Sequence, residues 1–169
     1  MIFNFKDKSP KIHETCYVAP TADIIGNVVI GKKSSIWPRA VVRGDVNRIE
    51  IGSYTNIQDG CILHVAAKYP IIIGSNVTVG HGSIVHGCVI EDYAFLGMGS
   101  IILEGAVIGE GVLIGAGALV SQGTRIPPYS LAMGMPAEVI KPLPQRYVDM
   151  VKKRGADYAK LAEEYFQLS

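Results

Sequence analysis

An aliphatic residue returns at every sixth position along most of this chain, and that period restricts the fold more than any other feature. From Ile12 the series runs through Val18, Ile24, Ile30, Ile36 and Val42, slips by three residues, and resumes at Ile51, Ile57 and Leu63. A slip of four, around Lys68 to Pro70, precedes Ile73, Val79 and Val85. One residue is then lost, and the period continues through Ile90, Leu96, Ile102, Ile108, Ile114, Val120 and Ile126. If each aliphatic residue is position i, then i+4 is nearly always small or β-branched, as at Cys16, Ala22, Ser34, Ala40, Thr55, Cys61, Ser83, Ala94, Ser100, Ala106, Ala118 and Thr124. Glycine recurs at i+1, as at Gly31, Gly52, Gly74, Gly97, Gly109 and Gly115. Alternation inside a period of six describes a short strand and a turn, repeated many times. The large i residue and the small i+4 residue both point inward and pack a narrow core in layers. Glycine at the turn is expected to supply backbone conformations that a Cβ resists.

The composition agrees with a β-rich repeat: 19 glycines, 8% aromatic residues and a positive mean hydropathy of +0.27. A length of 169 residues suits one domain with a real core. The formal charge of +1 leaves no basic footprint for nucleic acid. The N-terminal residues contain no apolar run of signal-peptide length, and no uncharged stretch is long enough to span a membrane. Three cysteines at wide, irregular spacing make neither a disulfide framework nor a thiolate cluster, so a reduced cytoplasmic setting is expected.

With this pattern the sequence resembles the hexapeptide-repeat proteins, whose fold is a left-handed parallel β-helix with three hexads per triangular coil. The resemblance covers about residues 12 to 137. It implies an all-β architecture, with residues 1–137 as a left-handed β-helix and residues 138–169 as a linker and C-terminal helix. After Ile126 the segment PPYSLAMGMPAEVIKPLP reads as an exit strand and linker, and Pro144 suits the first position of a helix. Tyr147, Val148, Val151, Tyr158, Leu161, Ala162, Tyr165 and Leu168 then recur at helical spacing, an apolar stripe expected to pack on the solenoid wall. Gly155 interrupts the stripe and is expected to divide or bend the helix.

Three hexads per coil turn counting into geometry. Leu63 and Val85 are three repeats apart, so they share one face on neighbouring coils, and His64 and His86 follow them as a stacked pair about 4.8 Å apart. Two imidazoles so placed can meet at one metal ion. His81 belongs to the hexad of Val79 on another face and cannot join them within one chain. Three prisms packed about a three-fold axis would bring His81 of one copy to His64 and His86 of the next, giving a homotrimer with metals at its interfaces. The same count puts Arg43 and Asp45 on the His64/His86 face, and Gln58 and Asp59 beneath His81.

These residues closely resemble the γ-class carbonic anhydrases and their relatives. The matching segments are RGD at 43–45, NIQD at 56–59, ILH at 62–64 and GHGSIVHGCVI at 80–90. The resemblance implies His64, His81 and His86 as ligands of zinc, with iron or cobalt also suited to imidazole. It implies an Arg43–Asp59 pair across the interface, Gln58 hydrogen-bonded to the metal's water, and Asp45 in the supporting network. The implied reaction is reversible hydration of CO2 to bicarbonate by metal-bound hydroxide, in a trimer with no nucleic-acid or membrane partner. Two departures stand out: the segment VAAKYP after His64 contains no carboxylate where the family pattern has a proton-shuttling glutamate, and Val46 replaces another expected glutamate. Slow turnover is therefore expected.

Other readings weigh against this one. A CoA-dependent acyltransferase would use a single histidine as base and commonly a long protruding loop. A metal-dependent thioesterase and a non-catalytic trimeric metal-binding protein remain as further alternatives. His13 is expected to be a surface residue, Cys16 and Cys61 core residues, Cys88 no ligand, and Trp37 a packing residue.

Overall fold

The computed structural model describes residues 1–167, apart from the side chain of Lys152; Leu168 of the expected stripe lies outside the described residues. The chain forms a parallel β-solenoid of about seven turns followed by a single helix. Each coil contributes a short strand to each of three faces. The first face stacks Val18, Ile36, Ile57, Val79, Leu96, Ile114 and Ala132 in register. The second stacks Ile24, Val42, Leu63, Val85, Ile102 and Val120, and the third Ile12, Ile30, Ile51, Ile73, Ile90, Ile108 and Ile126. The strands Asp23–Ile30 and Val41–Ile51 are long because they run round the corner from the second face to the third without a break.

The repeat positions fill the core as expected. From Ile24 to Ile126 every i residue is buried, and Ile12 and Val18 on the first coil are partly so. Polar i+4 residues satisfy themselves on turn carbonyls: Ser34 Oγ donates to Gly52 O at 2.7 Å and Thr55 Oγ1 to Gly74 O at 2.8 Å. Buried hydroxyls with partners cost little, so serine and threonine can replace alanine in this column.

The glycines act differently from the expectation. Positive φ falls at i+3, as at Gly82, Gly99 and Gly117, whereas the i+1 glycines are absent from the left-handed region. Their role is close approach: a Cβ on Gly52 would lie 2.5 Å from the carbonyl carbon of Gly74 on the next coil.

The segment read as an exit strand and linker forms a hairpin, Ser130–Gly134 pairing antiparallel with Ala137–Pro142 on the first face. The helix then runs unbroken from Gln145 to Gln167 and packs against the first face. Gly155 does not divide it. The glycine sits where the helix comes nearest the wall, and a Cβ there would be 3.2 Å from Tyr54 O. Val148, Val151, Gly155, Ala159 and Ala162 line the buried seam, while Leu161 of the expected stripe is exposed and the small Ala159 takes an inward place. Tyr158 and Tyr165 close around Trp37, which also meets Tyr17, so the tryptophan is a packing residue. No helix among the described residues is long and apolar enough to cross a membrane.

Candidate metal centre

The second face ends at a corner where all three slips of the repeat coincide. Val42 to Ile51, Leu63 to Ile73 and Val85 to Ile90 span nine, ten and five positions where the other coils use six. Arg43, His64 and His86 stand in register within the strands of these three coils, one position after the inward Val42, Leu63 and Val85. His64 Nδ1 and His86 Nε2 face each other at 3.1 Å, with ring centroids 5.1 Å apart. The far nitrogens are also engaged: His64 Nε2 lies 3.1 Å from Asp45 Oδ1, and His86 Nδ1 lies 3.2 Å from Glu104 Oε1.

Asp45 links this pair to Arg43, whose guanidinium contacts its second oxygen, and to the backbone N–H of Val46. Burial alone would raise the Asp45 pKa, but the bonds from Arg43, His64 and Val46 outweigh it and hold the carboxyl below its ordinary value. Asp45 therefore stays ionised and acts as an acceptor. The corner is fixed by a backbone ladder, Gly87 N to His64 O at 3.0 Å and Gly105 N to Gly87 O at 2.8 Å. Residues 65–70 form a tight turn in which Ala66 and Tyr69 exchange backbone bonds, with the Tyr69 ring over Gly105.

His81 lies elsewhere, at the corner that leads from the first face into the second. Its Nδ1 is 2.9 Å from Asp59 Oδ2, and its backbone N–H donates to Gln58 Oε1 at 3.2 Å. Gln58 is buried, and its Nε2 donates to Asn56 Oδ1, while Asn56 donates onward to Thr78 Oγ1. The Gln58 amide is thus held on both sides within the chain. Tyr158 comes down from the helix beside Gln58 and Asp59; burial raises its pKa first of all, Asp59 adds to the rise, and Arg154 and Gln58 oppose it.

The structure therefore brings His64, His86, Arg43 and Asp45 together in one cluster and His81, Gln58 and Asp59 in another. The two clusters do not meet, and among the described residues no three such side chains are arranged so that they could hold a metal ion. Within the chain Arg43 pairs with Asp45, and Asp59 with His81. Both clusters keep exposed edges, with the His81 side chain 49% accessible. Cys88 follows His86 by two residues yet turns into the core, where burial pushes its thiol up to about 12; Cys61 rises to about 11 for the same reason. Neither suits a metal ligand, and His13 is exposed, its ring nitrogen meeting Thr15. Sequence reading missed Glu104, Asn56 and Tyr158. Glu104 was open to the register count, because Ile102 stacks on Val85 and places the residues after it above His86.

Stacked hexads of this kind define a hexapeptide-repeat protein, and residues 87–122 match the family model described as bacterial transferase hexapeptide (six repeats). A crystal structure of a Bacillus cereus protein, described only provisionally as an acetyltransferase, superposes with a TM-score of 0.98 at 46% identity, covering 100% of this chain and 98% of that one. Among curated relatives, carbonic anhydrase of Geobacillus kaustophilus is 44% identical, covering 98% of this chain and 91% of the relative. Gamma carbonic anhydrase 2, mitochondrial, of Arabidopsis thaliana is also 44% identical over 96% of this chain, which spans 60% of that relative's length. On these relatives, the chain belongs to the gamma carbonic anhydrase family.

Proposed function

We propose that this chain catalyses the reversible hydration of CO2 to bicarbonate at sites built between the copies of a homotrimer. Each site would hold a divalent ion, zinc foremost and iron or cobalt as substitutes, on His64 and His86 of one copy and His81 of the next. The observation that carries this reading is the convergence of His64 Nδ1 and His86 Nε2 at 3.1 Å. Two nitrogens bound to one zinc at about 2.0–2.1 Å stand about 3.3 Å apart in a tetrahedron, so the donor pair fits the ion. His81 Nδ1 is taken by Asp59, which leaves Nε2 for the same purpose.

An apolar column supports the trimer. Val41, Ile62, Ile84, Ile101 and Leu119 project outward along the second face between the two half-sites, and Ile62 and Ile84 are 46% and 39% accessible. A second copy laid on this column would bury it and bring the edges together.

Bound at this interface, a divalent ion supplies the Lewis acidity that makes water a nucleophile near neutral pH. Asp45, kept ionised by Arg43, orients His64. Gln58, pinned by Asn56 and by the backbone of His81, would keep one N–H and one lone pair with which to orient a water at the ion. The apolar column keeps bulk water from the interface. No acid occurs in residues 65–70, so proton release would depend on buffer or another group, and turnover would be slow. Three buried, unpaired cysteines suit a reducing compartment such as the cytoplasm.

The second reading, CoA-dependent acyl transfer, draws on the provisional description of the Bacillus cereus structure. It leaves unexplained why each of three histidines has a carboxylate partner. Metal analysis of protein purified without chelator is expected to find close to one divalent ion per subunit. The His81→Ala variant should lose the ion and keep the trimer. Protein that takes up no metal under zinc repletion would end the main reading. Stopped-flow CO2 hydration, run beside a panel of CoA thioesters, then separates the activities.

A further inference from the structure

Glu104 is used by nothing proposed above, yet it reaches the metal half-site from the next coil. Its carboxylate oxygen stands 3.2 Å from His86 Nδ1, on the opposite side of the ring from Nε2, which meets His64. The backbone of Glu104 is locked in the corner ladder, its carbonyl accepting from Gly123 N at 2.9 Å, and the Tyr69 ring covers the neighbouring Gly105. The side chain thus starts from a fixed point.

We propose that Glu104 is the positioning residue of His86. A neutral imidazole carries one N–H, and a carboxylate at Nδ1 draws the hydrogen there and leaves the lone pair on Nε2, facing His64. Asp45 does the same for His64 with the nitrogens reversed, holding Nε2 so that Nδ1 is free. Both rings then offer lone pairs to one point, and neither can rotate without losing its contact with an acid. The inference rests on the metal-site reading and deepens it: the carboxylate support of this half-site comes from a neighbouring coil and from the strand end at Asp45, with no contribution from the loop after His64.

The test uses the full-length protein stripped of metal and titrated with Co2+, read from its visible bands, and with Zn2+ in competition. Glu104→Ala is expected to lower the affinity 10- to 100-fold, as loss of the outer carboxylate that supports a ligating histidine typically does. Glu104→Asp should recover part of it, and Glu104→Gln, which keeps an acceptor oxygen without the charge, should fall between. In the zinc-loaded wild type, nitrogen-detected NMR should show His86 protonated at Nδ1, a signal that broadens or moves in Glu104→Ala. Affinities equal to wild type in both Glu104→Ala and Glu104→Gln would overturn the proposal. So would a loss matched by an equal fall in the melting temperature of the metal-free protein, because Glu104 would then be structural. Wild-type protein that binds neither ion would overturn the metal site itself, a result visible before any variant is made.

Discussion

A β-carbon is what this solenoid can least accommodate at the start of its turns. At Gly52 the next coil's backbone occupies the place a methyl group would need, whereas at Gly117 the space is open and only the positive φ of 68° opposes a side chain. Gly52→Ala is therefore expected to cost about 2–3 kcal/mol through displaced backbone, and Gly117→Ala about 1 kcal/mol through local strain. Denaturant unfolding of the two variants measures the difference; equal losses would mean that the coils can separate to admit a methyl group. The same distinction explains what could be read at this scale. His64 and His86 were placed by counting, because neighbours in a parallel ladder are fixed by register. The function of the i+1 glycines was hidden, since a one-dimensional pattern shows that glycine recurs and says nothing about the coil above it. Glu104 escaped because its contact depends on a long side chain reaching back from a corner, and at i+2 most coils point side chains to solvent.

Among the elements, the helix departs most from its pattern. Helical spacing located it and predicted that it packs on the solenoid wall, but glycine in a helix ordinarily weakens it, and so Gly155 looked like a break. Its neighbours Tyr54 and Asn76 belong to the wall, and the helix needs a flat spot there to lie close. The cost in propensity is offset by the approach it permits. Gly155→Leu should lift the helix and cost about 1–3 kcal/mol. Trp37, the single tryptophan, is gripped by Tyr158 and Tyr165 and reports this directly. Its fluorescence should shift to the red in Gly155→Leu, and further in a chain ending at Leu143, while the far-ultraviolet signal of the strands persists. An unchanged emission would show that the aromatic cluster holds without the helix. Leu161, which the spacing counted as inward, is exposed because the seam is narrow and selects small side chains.

For the whole molecule, the separation of the half-sites makes a prediction that no single variant can. Trimers of His81→Ala, and trimers of the double variant His64→Ala with His86→Ala, should each bind no metal. Dissociated, mixed in equal amounts and reassembled, they should regain about one site in four, because each head-to-tail interface needs the right copy on both sides. Metal content of the mixed trimers measures this, and recovery of none would argue that the half-sites never face each other. The fold as a whole was legible because one period organises it. The proposed assembly is of another kind: the faces carry their residues in the sequence, whereas the angle between copies is written in no single chain.

The three changes of length at one corner carry a further consequence, for how such a chain can diverge. Nine, ten and five residues cross that edge in successive coils, yet every inward side chain keeps its layer. Insertions elsewhere would throw an entire column out of alignment, while here they lengthen a loop at a penalty that grows only slowly with its size. The exposed side chains of Ala67 and Lys68 can therefore be exchanged, while Val65 stays in the core and the Tyr69 ring over Gly105. A lineage of such proteins could trade one substrate for another at this edge and inherit the scaffold unaltered.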